Sequence, residues 1–507
     1  MKRTVVFLLT LLFSLSLYAQ LPQPKREFRG AWIQMINGQF MGMDRDQMQQ
    51  NLTHQLDELK ACRVNTIIFQ VRGEADAMYA SQLEPWTRFL SGQQGVAPNP
   101  YWDPLEWMIK ECHRRGMELH AWINPYRAKT KTTNQLATSH PYNKHPERFF
   151  AYDNLLLFNP GLQENRDYIC QVVADIVSRY DIDGLHIDDY FYPYPNGTPL
   201  PDADTFKAHS NGFTDIADWR RYNVNLLIRQ IHATIKQIKP WVAFGVSPFG
   251  IYHNSKTTNS TQGGVNLPGS ATNGLQNYDD LYADILYWTQ QGWCDYLVPQ
   301  LYWEIGHKAA DYTTLVKWWS KHVDNCPLIV GQDIERSVRA KDLNNPQINQ
   351  LPEKFRLQRT LPHIQGNCLW YSAAVVRNEG NAAVALKEMF QSEYALPIAY
   401  DNDHKRLPAK VKSLGLHNKD GKLYLYWLPP KYKNVAQEAV KYVVYCFGKG
   451  EKIDIGRNDR IIAVTPTNVL DISTYAQNGP QTYVVTAFDR MRHESKPAKV
   501  KYKPQTR

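Results

Sequence analysis

The sequence predicts an α/β protein in which a (β/α)8 TIM barrel is followed by a small all-β sandwich domain. Strand-like runs alternate with helix-like runs eight times between residues 28 and 392, as a TIM barrel requires. After about residue 400 only β-type runs remain, separated by Gly, Asn and Pro. The chain of 507 residues also exceeds the length at which single cores stop growing, about 250–300 residues.

Eight short apolar runs are the predicted barrel strands. Each is followed by polar residues or by Gly or Pro, as expected for strands buried on both faces of a parallel sheet. They span residues 28–35, 64–72, 117–124, 182–188, 241–247, 294–301, 327–332 and 366–371.

Amphipathic stretches between these runs are the predicted helices. The first begins at Asp44, a favourable N-cap, and carries Met48, Leu52 and Leu56 at helical spacing. The predicted helices span residues 44–63, 103–115, 164–180, 214–238, 278–291, 309–323, 347–361 and 378–391. No glycine-rich nucleotide loop follows the first strand, which argues against a doubly wound open sheet.

Four long segments follow predicted strands, and they cover residues 73–102, 125–162, 189–213 and 248–277. All of them lie on the strand-to-helix side of the barrel. TIM barrels build their active sites at that face, so we expect the functional residues there.

The N-terminal residues 1–19 have the pattern of a signal peptide. Lys2 and Arg3 precede an apolar run over 5–17, and Ala19 precedes a plausible cleavage site. We therefore expect an exported protein, periplasmic or secreted, with no membrane span in its mature form. The barrel is predicted over 25–395 and the β-sandwich over 400–507.

Basic charge is concentrated in the C-terminal module. The net charge is +9, whereas residues 401–507 alone carry +10 and residues 21–400 carry −3. A nucleic-acid enzyme is expected to place basic charge around its active site, so no nucleic-acid partner is predicted. The module is expected to attract an anionic cell-envelope surface; the alternative is a module that only stabilises the barrel.

The seven cysteines are scattered and never form a Cys-x-x-Cys pair. This pattern argues against a disulfide framework or a zinc site, and no cofactor or metal is predicted. Most of the cysteines lie within hydrophobic or helical patterns, where a free cysteine is usually a small core residue.

The fourth predicted strand carries the densest polar signal, Asp183-Gly-Leu-His-Ile-Asp-Asp-Tyr190. His186, Asp188 and Tyr190 share one face of that strand. A carboxylate at the C-terminal end of a barrel strand can act as nucleophile, base or metal ligand. Asp188 and Asp189 are therefore catalytic candidates, although a carboxylate there can also cap a loop.

Glycoside hydrolysis needs one carboxyl group to protonate the leaving oxygen and a second to attack or to activate water. The sixth strand run ends near Glu304, which is the candidate acid; the alternative is a Glu exposed at a loop start. Aromatic and amide side chains at the other strand ends fit a sugar subsite. The substrate-binding candidates are Arg29, Trp32, Gln70, Arg72, Asp76, Trp122, Asn124, Tyr126, Arg127, His186, Tyr190, Gln300, Tyr302, Trp303, Trp370 and Tyr371.

The fourth strand is similar to the motifs of two glycosidase families. α-Amylase-type barrels carry Asp-Gly-x-Arg-x-Asp, in which the last Asp is the nucleophile and corresponds to Asp188. Those enzymes place a Glu acid after strand five, where this chain has Ser247. Chitinases carry Asp-Gly-x-Asp-x-Asp-x-Glu, and Tyr190 stands at the position of their Glu. Neither mechanism transfers intact.

Several motifs occur together in a specific order and spacing. They are Arg29-Gly-Ala-Trp32, Gln70-Val-Arg72, Asp76-Ala-Met-Tyr79, Glu84-Pro-Trp86, Trp122-Ile-Asn-Pro-Tyr-Arg127, Asp183–Pro193 and Pro299-Gln-Leu-Tyr-Trp303. Over roughly residues 25–345 the chain resembles the bacterial glycosyl-hydrolase-like 10 domain family. The resemblance implies an exported TIM-barrel glycoside hydrolase whose substrate is a bacterial cell-wall (peptidoglycan) glycan strand or a related polysaccharide. Trp427 and the Tyr-Val-Val-Thr-Ala run at 483–487 resemble a fibronectin type III module, which often follows this domain.

Two other functions are compatible with the sequence. One is a non-catalytic glycan-binding protein. The other is a metal-dependent polysaccharide deacetylase, in which His120, His186 and Asp188 would converge as ligands.

Overall fold

The computed structural model describes residues 23–133, 135–257, 261–262, 265–400, 407–477 and 479–504. The predicted signal peptide lies outside these residues. Eight parallel strands form a closed barrel, and each strand pairs with its neighbours in chain order. The barrel strands are β1 Phe28–Ile33, β2 Thr66–Arg72, β3 Glu118–Ile123, β4 Gly184–Ile187, β5 Ala243–Val246, β6 Tyr296–Leu297, β7 Leu328–Asp333 and β8 Ile364–Trp370. Strand β8 closes the barrel on β1, which confirms the predicted fold.

Strand β6 is much shorter than the predicted run over 294–301. Pro299 has no backbone N–H, so a regular strand cannot continue through it. Gln300 pairs only through isolated bridges to Phe249 and Gly331. The segment that carries Glu304 therefore leaves the barrel wall early.

Helices surround the barrel. The main ones are α1 Arg45–Ala61, α2 Pro104–Arg114, α3 Gln163–Arg179, α4 Ile216–Ile238, α5 Ile285–Gln290, α6 Tyr312–His322, α7 Leu351–Arg359 and α8 Ser372–Val376. Helix α1 starts as predicted: the Asp44 carboxylate accepts a hydrogen bond from the Gln47 amide at 2.8 Å, and the Gln47 side chain accepts one from the Asp44 amide.

Two predicted helices are interrupted. The segment 278–291 is divided because Tyr282 takes a positive φ of 53° and Asp284 caps a new helix. The segment 378–391 is divided because Asn378, Gly380 and Asn381 also take positive φ. Shorter helical pieces are Arg88–Ser91, Pro141–Lys144, Pro146–Arg148, Ala203–Ala208, Asn277–Asp280, Ile334–Arg339, Glu379–Asn381, Ala382–Ala385, Leu386–Phe390, Val435–Gln437, Asn458–Arg460 and Ser473–Ala476.

The loops after the barrel strands carry small sheets of their own. A three-stranded sheet forms from Arg127–Lys129, Leu155–Phe158 and Phe149–Tyr152. Two-residue strands at Thr261–Gln262 and Val265–Asn266 pair after β5. No helix among the described residues is both long enough and apolar enough to cross a membrane.

The C-terminal module consists of two antiparallel sheets, one of three strands and one of four. Its strands are β9 Lys412–Lys419, β10 Lys422–Leu428, β11 Ala439–Gly448, β12 Ile461–Thr465, β13 Val469–Asp471, β14 Gln481–Asp489 and β15 Ala498–Tyr502. Leu425 and Trp427 of one sheet share a core with Tyr483 and Val485 of the other, as in a sandwich. The predicted all-β sandwich is confirmed.

The module docks at the N-terminal end of the barrel. Arg492, in the turn between β14 and β15, reaches Glu118 at the start of β3. Arg490 of the same turn pairs with Asp181, just before β4. The opposite end of the barrel, where the strands finish, is left free for a site.

Candidate active site

The candidate site is built around Asp188, which directly follows β4. Its Oδ2 accepts a hydrogen bond from the Asn124 side-chain amide, whereas Oδ1 has no hydrogen-bond partner among the described residues. Asn124 is held in turn by the Gln70 amide at 2.8 Å, and the Gln70 oxygen accepts from the backbone of Met35 at 2.9 Å. These strand-end side chains give Asn124 one orientation, so its N–H points at Asp188.

Asp189 faces a different set of donors. Its Oδ1 accepts from the Gln300 amide at 3.0 Å, and its Oδ2 accepts from the Tyr194 hydroxyl. Gln300 also donates to the Ser247 carbonyl at 3.1 Å, which anchors it at the end of β5. Both oxygens of Asp189 are therefore acceptors, an arrangement that favours its ionised form.

Burial raises the pKa of both carboxyl groups, since Asp188 and Asp189 are only 5% and 2% exposed. Burial is the main cause that raises the pKa of Asp188 to about 7; Arg127 opposes it, and the charge of Asp189 adds to it. The pKa of Asp189 is also raised by burial, against the opposing effect of Tyr194 and Gln300. One group that holds a proton near neutral pH thus stands beside one that is equipped to stay charged.

Arg127 and two tyrosines flank the carboxyl pair. The Arg127 guanidinium lies 3.9 Å from the centre of the Tyr190 ring, a cation–π contact. Tyr190 is 38% exposed and stacks against Tyr194 at 5.7 Å. One wall of the site therefore presents an aromatic face beside a fixed positive charge.

Trp370, at the end of β8, is the centre of an aromatic cluster at the barrel mouth. Trp32 and Trp122 meet its ring edge-on at 6.2 Å and 6.3 Å. Tyr302 stacks against it at 6.2 Å with an interplanar angle of 17°. Trp370 and Tyr302 keep part of their surface exposed, whereas Trp32 and Trp122 are buried and support them.

Four predicted substrate-binding residues belong to the framework instead. Arg29 lies at the N-terminal end of β1, where it binds Glu27 at 2.6 Å and the Glu393 carbonyl. Tyr126 is fully buried on the outer side of the barrel, next to Arg166 of α3. These corrections arise because strand position alone does not tell which way a side chain points.

Arg72 and Asp76 hold the loop after β2. Arg72 makes two hydrogen bonds to the Glu84 carboxylate, at 2.7 Å and 2.6 Å, and is fully buried. Asp76 accepts from the Glu74 amide at 3.0 Å and from Gln94 at 3.1 Å. Arg72 also donates to the backbone carbonyls of Asn124 and Pro125, so it ties the loop after β2 to the one after β3. Both residues are occupied by other groups of the protein and belong to the framework.

Glu304 lies in the loop that follows β6, seven positions beyond the last residue of the strand. It is exposed, and its electrostatic partner is Lys354. Trp303 next to it packs edge-on against Phe249 at 5.4 Å. The pair of opposing carboxylates on strands four and six therefore stays a prediction, and the carboxylate that interacts with Asp188 in the structure is its neighbour, Asp189.

Tyr371 also points elsewhere. Its hydroxyl donates to Glu335 at 2.8 Å and accepts from Arg377 at 2.9 Å. The peptide bond between Trp370 and Tyr371 is cis. Of the two residues, Trp370 faces the mouth and Tyr371 anchors the segment that follows.

The two histidines proposed as metal ligands meet a tyrosine hydroxyl. His120 Nδ1 and His186 Nδ1 lie 2.7 Å and 3.1 Å from the Tyr296 oxygen. Among the residues that the structure describes, no group of three or more His, Cys, Asp or Glu side chains is arranged to hold a metal ion. His120, His186 and Asp188 therefore do not form the metal-ligand set that the deacetylase alternative requires.

Sequence reasoning missed Tyr194 and Asp333. Tyr194 binds Asp189 and follows Tyr190 and Tyr192 in an alternating aromatic run that could have pointed to it. Asp333 ends β7 and is 8% exposed, but its carboxylate caps the next helix through the Arg336 amide at 2.9 Å.

The glycosyl hydrolase-like 10 family matches residues 27–350. The Bacillus subtilis (strain 168) protein named glycosyl hydrolase YngK is 35% identical over 498 residues, covering 94% of this chain and 93% of the relative. The Escherichia coli (strain K12) protein named glycosyl hydrolase DigH is 35% identical over 339 residues, covering 64% of this chain and 75% of the relative.

Among solved structures, the catalytic domain of a β-amylase from Paenibacillus polymyxa aligns with 73% of this chain and 99% of its own, at 11% identity and a TM-score of 0.45. A similarity this low does not bear on substrate. The family match covers more than half of the chain, and the similarity to YngK extends into the C-terminal module. The chain therefore belongs to the glycosyl hydrolase-like 10 family.

Proposed function

We propose that this protein is an exported glycoside hydrolase in which Asp188 donates the proton that cleaves the glycosidic bond. The observation that carries the proposal is the contrast within the buried carboxyl pair. Asp188 keeps one oxygen without a hydrogen-bond partner among the described residues, whereas both oxygens of Asp189 accept hydrogen bonds. The family and the names of the relatives support hydrolysis of glycosides.

The roles follow from these contacts. Protonated Asp188 carries its hydrogen on Oδ1 and passes it to the leaving glycosidic oxygen while the C–O bond breaks. The Asn124 amide at Oδ2 then stabilises the carboxylate that forms. Asp189 remains an anion and stabilises the positive charge that develops on the sugar ring. Water then adds to the anomeric carbon and gives one of its protons back to the Asp188 carboxylate, which completes the hydrolysis and restores the acid.

The substrate that we propose is a bacterial cell-wall glycan strand or a related polysaccharide. Trp370, Tyr302 and Tyr190 offer partly exposed rings on which sugars can stack. Arg127 adds a charged group beside the Tyr190 ring, and Gln300 adds an amide at Asp189, as a sugar subsite requires. The basic and apolar N-terminal sequence supports export to the periplasm or outside the cell.

Digestion of purified glycans, read by mass spectrometry, tests this function. The panel includes peptidoglycan strands with and without stem peptides, and each is treated with wild type, Asp188→Asn and Glu304→Gln. Shortened strands from wild type and Glu304→Gln, but not from Asp188→Asn, support the proposal. Binding without products indicates a glycan-binding protein, and loss of acetyl groups without chain cleavage indicates a deacetylase.

We also propose that the C-terminal module is a fibronectin type III domain that contacts an anionic cell-envelope surface. Seven strands in sheets of three and four support the domain type. Exposed lysines on neighbouring strands supply the charge; they are Lys412, Lys419, Lys499 and Lys501.

The charge proposal is tested in the full-length protein, because Arg492 of the module pairs with Glu118 of the barrel. Replacing the four exposed lysines by Glu should reduce sedimentation with cell-wall material at low salt, while hydrolysis of short soluble oligomers is retained. Equal sedimentation of the variant and wild type would leave the module a purely structural role.

A further inference from the structure

A chain of hydrogen bonds runs through the barrel interior from the mouth to the opposite end. Its contacts join Trp32 Nε1 to His186 Nε2 (3.4 Å), His186 Nδ1 to the Tyr296 hydroxyl (3.1 Å), that hydroxyl to His120 Nδ1 (2.7 Å), and His120 Nε2 to Glu118 Oε2 (3.4 Å). All five side chains are at most 2% exposed, so bulk water does not compete for these contacts.

The two ends of the chain determine the direction of every donation. An indole N–H can only donate and a carboxylate can only accept. His186 Nε2 therefore carries no hydrogen, and its Nδ1–H donates to the Tyr296 oxygen. The Tyr296 hydroxyl keeps its own hydrogen to donate, and His120 Nδ1 is the acceptor in reach at 2.7 Å; His120 then donates from Nε2 to Glu118. In this arrangement each ring donates from one nitrogen and accepts at the other, and burial lowers the pKa of His186 well below its ordinary value, which keeps that ring neutral.

The C-terminal module contacts this chain at Glu118, its lower end, which lies opposite the barrel mouth. Arg492 Nε lies 3.0 Å from one Glu118 oxygen, and Nη2 lies 3.1 Å from the other. Burial by itself raises the pKa of Glu118, but Arg492, His120 and Lys441 outweigh burial and lower it. Glu118 is therefore held as the carboxylate acceptor that the direction of donation requires.

The upper end reaches the candidate active site. Trp32 supports the ring of Trp370 edge-on at 6.2 Å. His186 lies two residues before Asp188, on the same face of β4. The chain thus connects His186, the acceptor of the Trp32 indole, to an arginine of the C-terminal module.

We propose that the C-terminal module orients Trp32 beneath the candidate active site through this chain, with Arg492 and Tyr296 as positioning residues. Without Arg492, Glu118 can take up a proton and act as a donor, so His120 can change tautomer. Reversal at His120 propagates through Tyr296 and removes the acceptor for Trp32, because neighbouring hydrogen bonds polarise and order one another. The effect on catalysis rests on the proposed function; the orientation of Trp32 does not.

Tyr296→Phe cuts the chain at its centre, and Tyr400→Phe is a matched control. Tyr400 stacks on Tyr296 at 5.6 Å, and its hydroxyl has no hydrogen-bond partner among the described residues. Arg492→Met removes the lower end, with Arg490→Met from the same turn as its control. NMR of the full-length protein, ¹⁵N-labelled at histidine and tryptophan, reports the Trp32 indole and the His186 ring; Trp32→Phe assigns the indole signal.

Tyr296→Phe and Arg492→Met should both shift the Trp32 and His186 signals, whereas the two controls should leave them in place. Unchanged signals in Tyr296→Phe and Arg492→Met would overturn the proposal. As a second readout, Tyr296→Phe should lower kcat on glycan oligomers about tenfold while KM stays within about threefold, as for a displaced positioning group. The NMR signals need no turnover, so a protein that cleaves no glycan would refute the proposed function without deciding this test.

Discussion

Arg492→Met should destabilise the whole protein more than a typical substitution in a surface module. Arg492 and Glu118 are 2% exposed, and their contacts at 3.0 Å and 3.1 Å are the main compensation for the buried carboxylate. The remaining cation, Lys441, is 3.8 Å from Glu118. Removing one partner of a buried ion pair costs about 3–5 kcal/mol, because the other charge is left uncompensated.

Arg490→Met provides the matched control. Arg490 comes from the same turn but pairs with Asp181 and Glu438, whose side chains are 49% and 34% exposed. Exposed ion pairs contribute about 0–1 kcal/mol to stability, so the free energy of unfolding of this variant should remain close to that of wild type.

Urea unfolding followed by tryptophan fluorescence measures both variants. The difference between them should be about 2–4 kcal/mol at neutral pH, and it should decrease as the pH falls. In wild type the pKa of Glu118 is lowered, so its pair stabilises the protein above the ordinary glutamate value of 4.5 and is lost in acid. Equal free energies of unfolding for Arg492→Met and Arg490→Met at neutral pH would refute the reasoning.

Three further predictions concern the candidate active site. Asp188→Asn should keep the fold and lower turnover by about two orders of magnitude or more, in line with the loss of one preorganised catalytic group; wild-type turnover would make Asp188 structural. Asp188 must hold a proton to act and its pKa is about 7, so kcat should fall as the pH rises past about 7. Arg127 opposes the increase in the pKa of Asp188, so Arg127→Met should move the fall in kcat to higher pH. A pH profile that does not differ between Arg127→Met and wild type would contradict this. Trp370→Ala should weaken oligosaccharide binding in calorimetry, whereas Tyr126→Ala should lower the free energy of unfolding by about 3–5 kcal/mol because Tyr126 lies in the buried core. Weaker binding in Tyr126→Ala together with lower stability in Trp370→Ala would contradict both assignments.

The local sequence pattern was sufficient to predict the barrel, the sandwich and the position of the candidate site. Apolar runs at a strand period and amphipathic runs at a helix period are properties of the backbone, so they can be read from neighbouring residues. The Asp188-Asp189 pair was found in this way, since a carboxylate directly after a buried strand lies at the barrel mouth. The motifs that resemble the glycosyl hydrolase-like 10 family were local as well, and the family match confirmed them.

The partners of these residues were decided only by the tertiary structure. Arg72 and Arg127 both follow barrel strands, but Arg72 is neutralised by Glu84 from its own loop, so only Arg127 is left to face Asp188. Glu304 lies in a loop and not at a strand end, because β6 stops before Pro299. Arg490 and Arg492 are alike in sequence, yet only Arg492 is buried against Glu118, 374 positions away. Contacts at such separations depend on how whole elements pack, which no local period encodes.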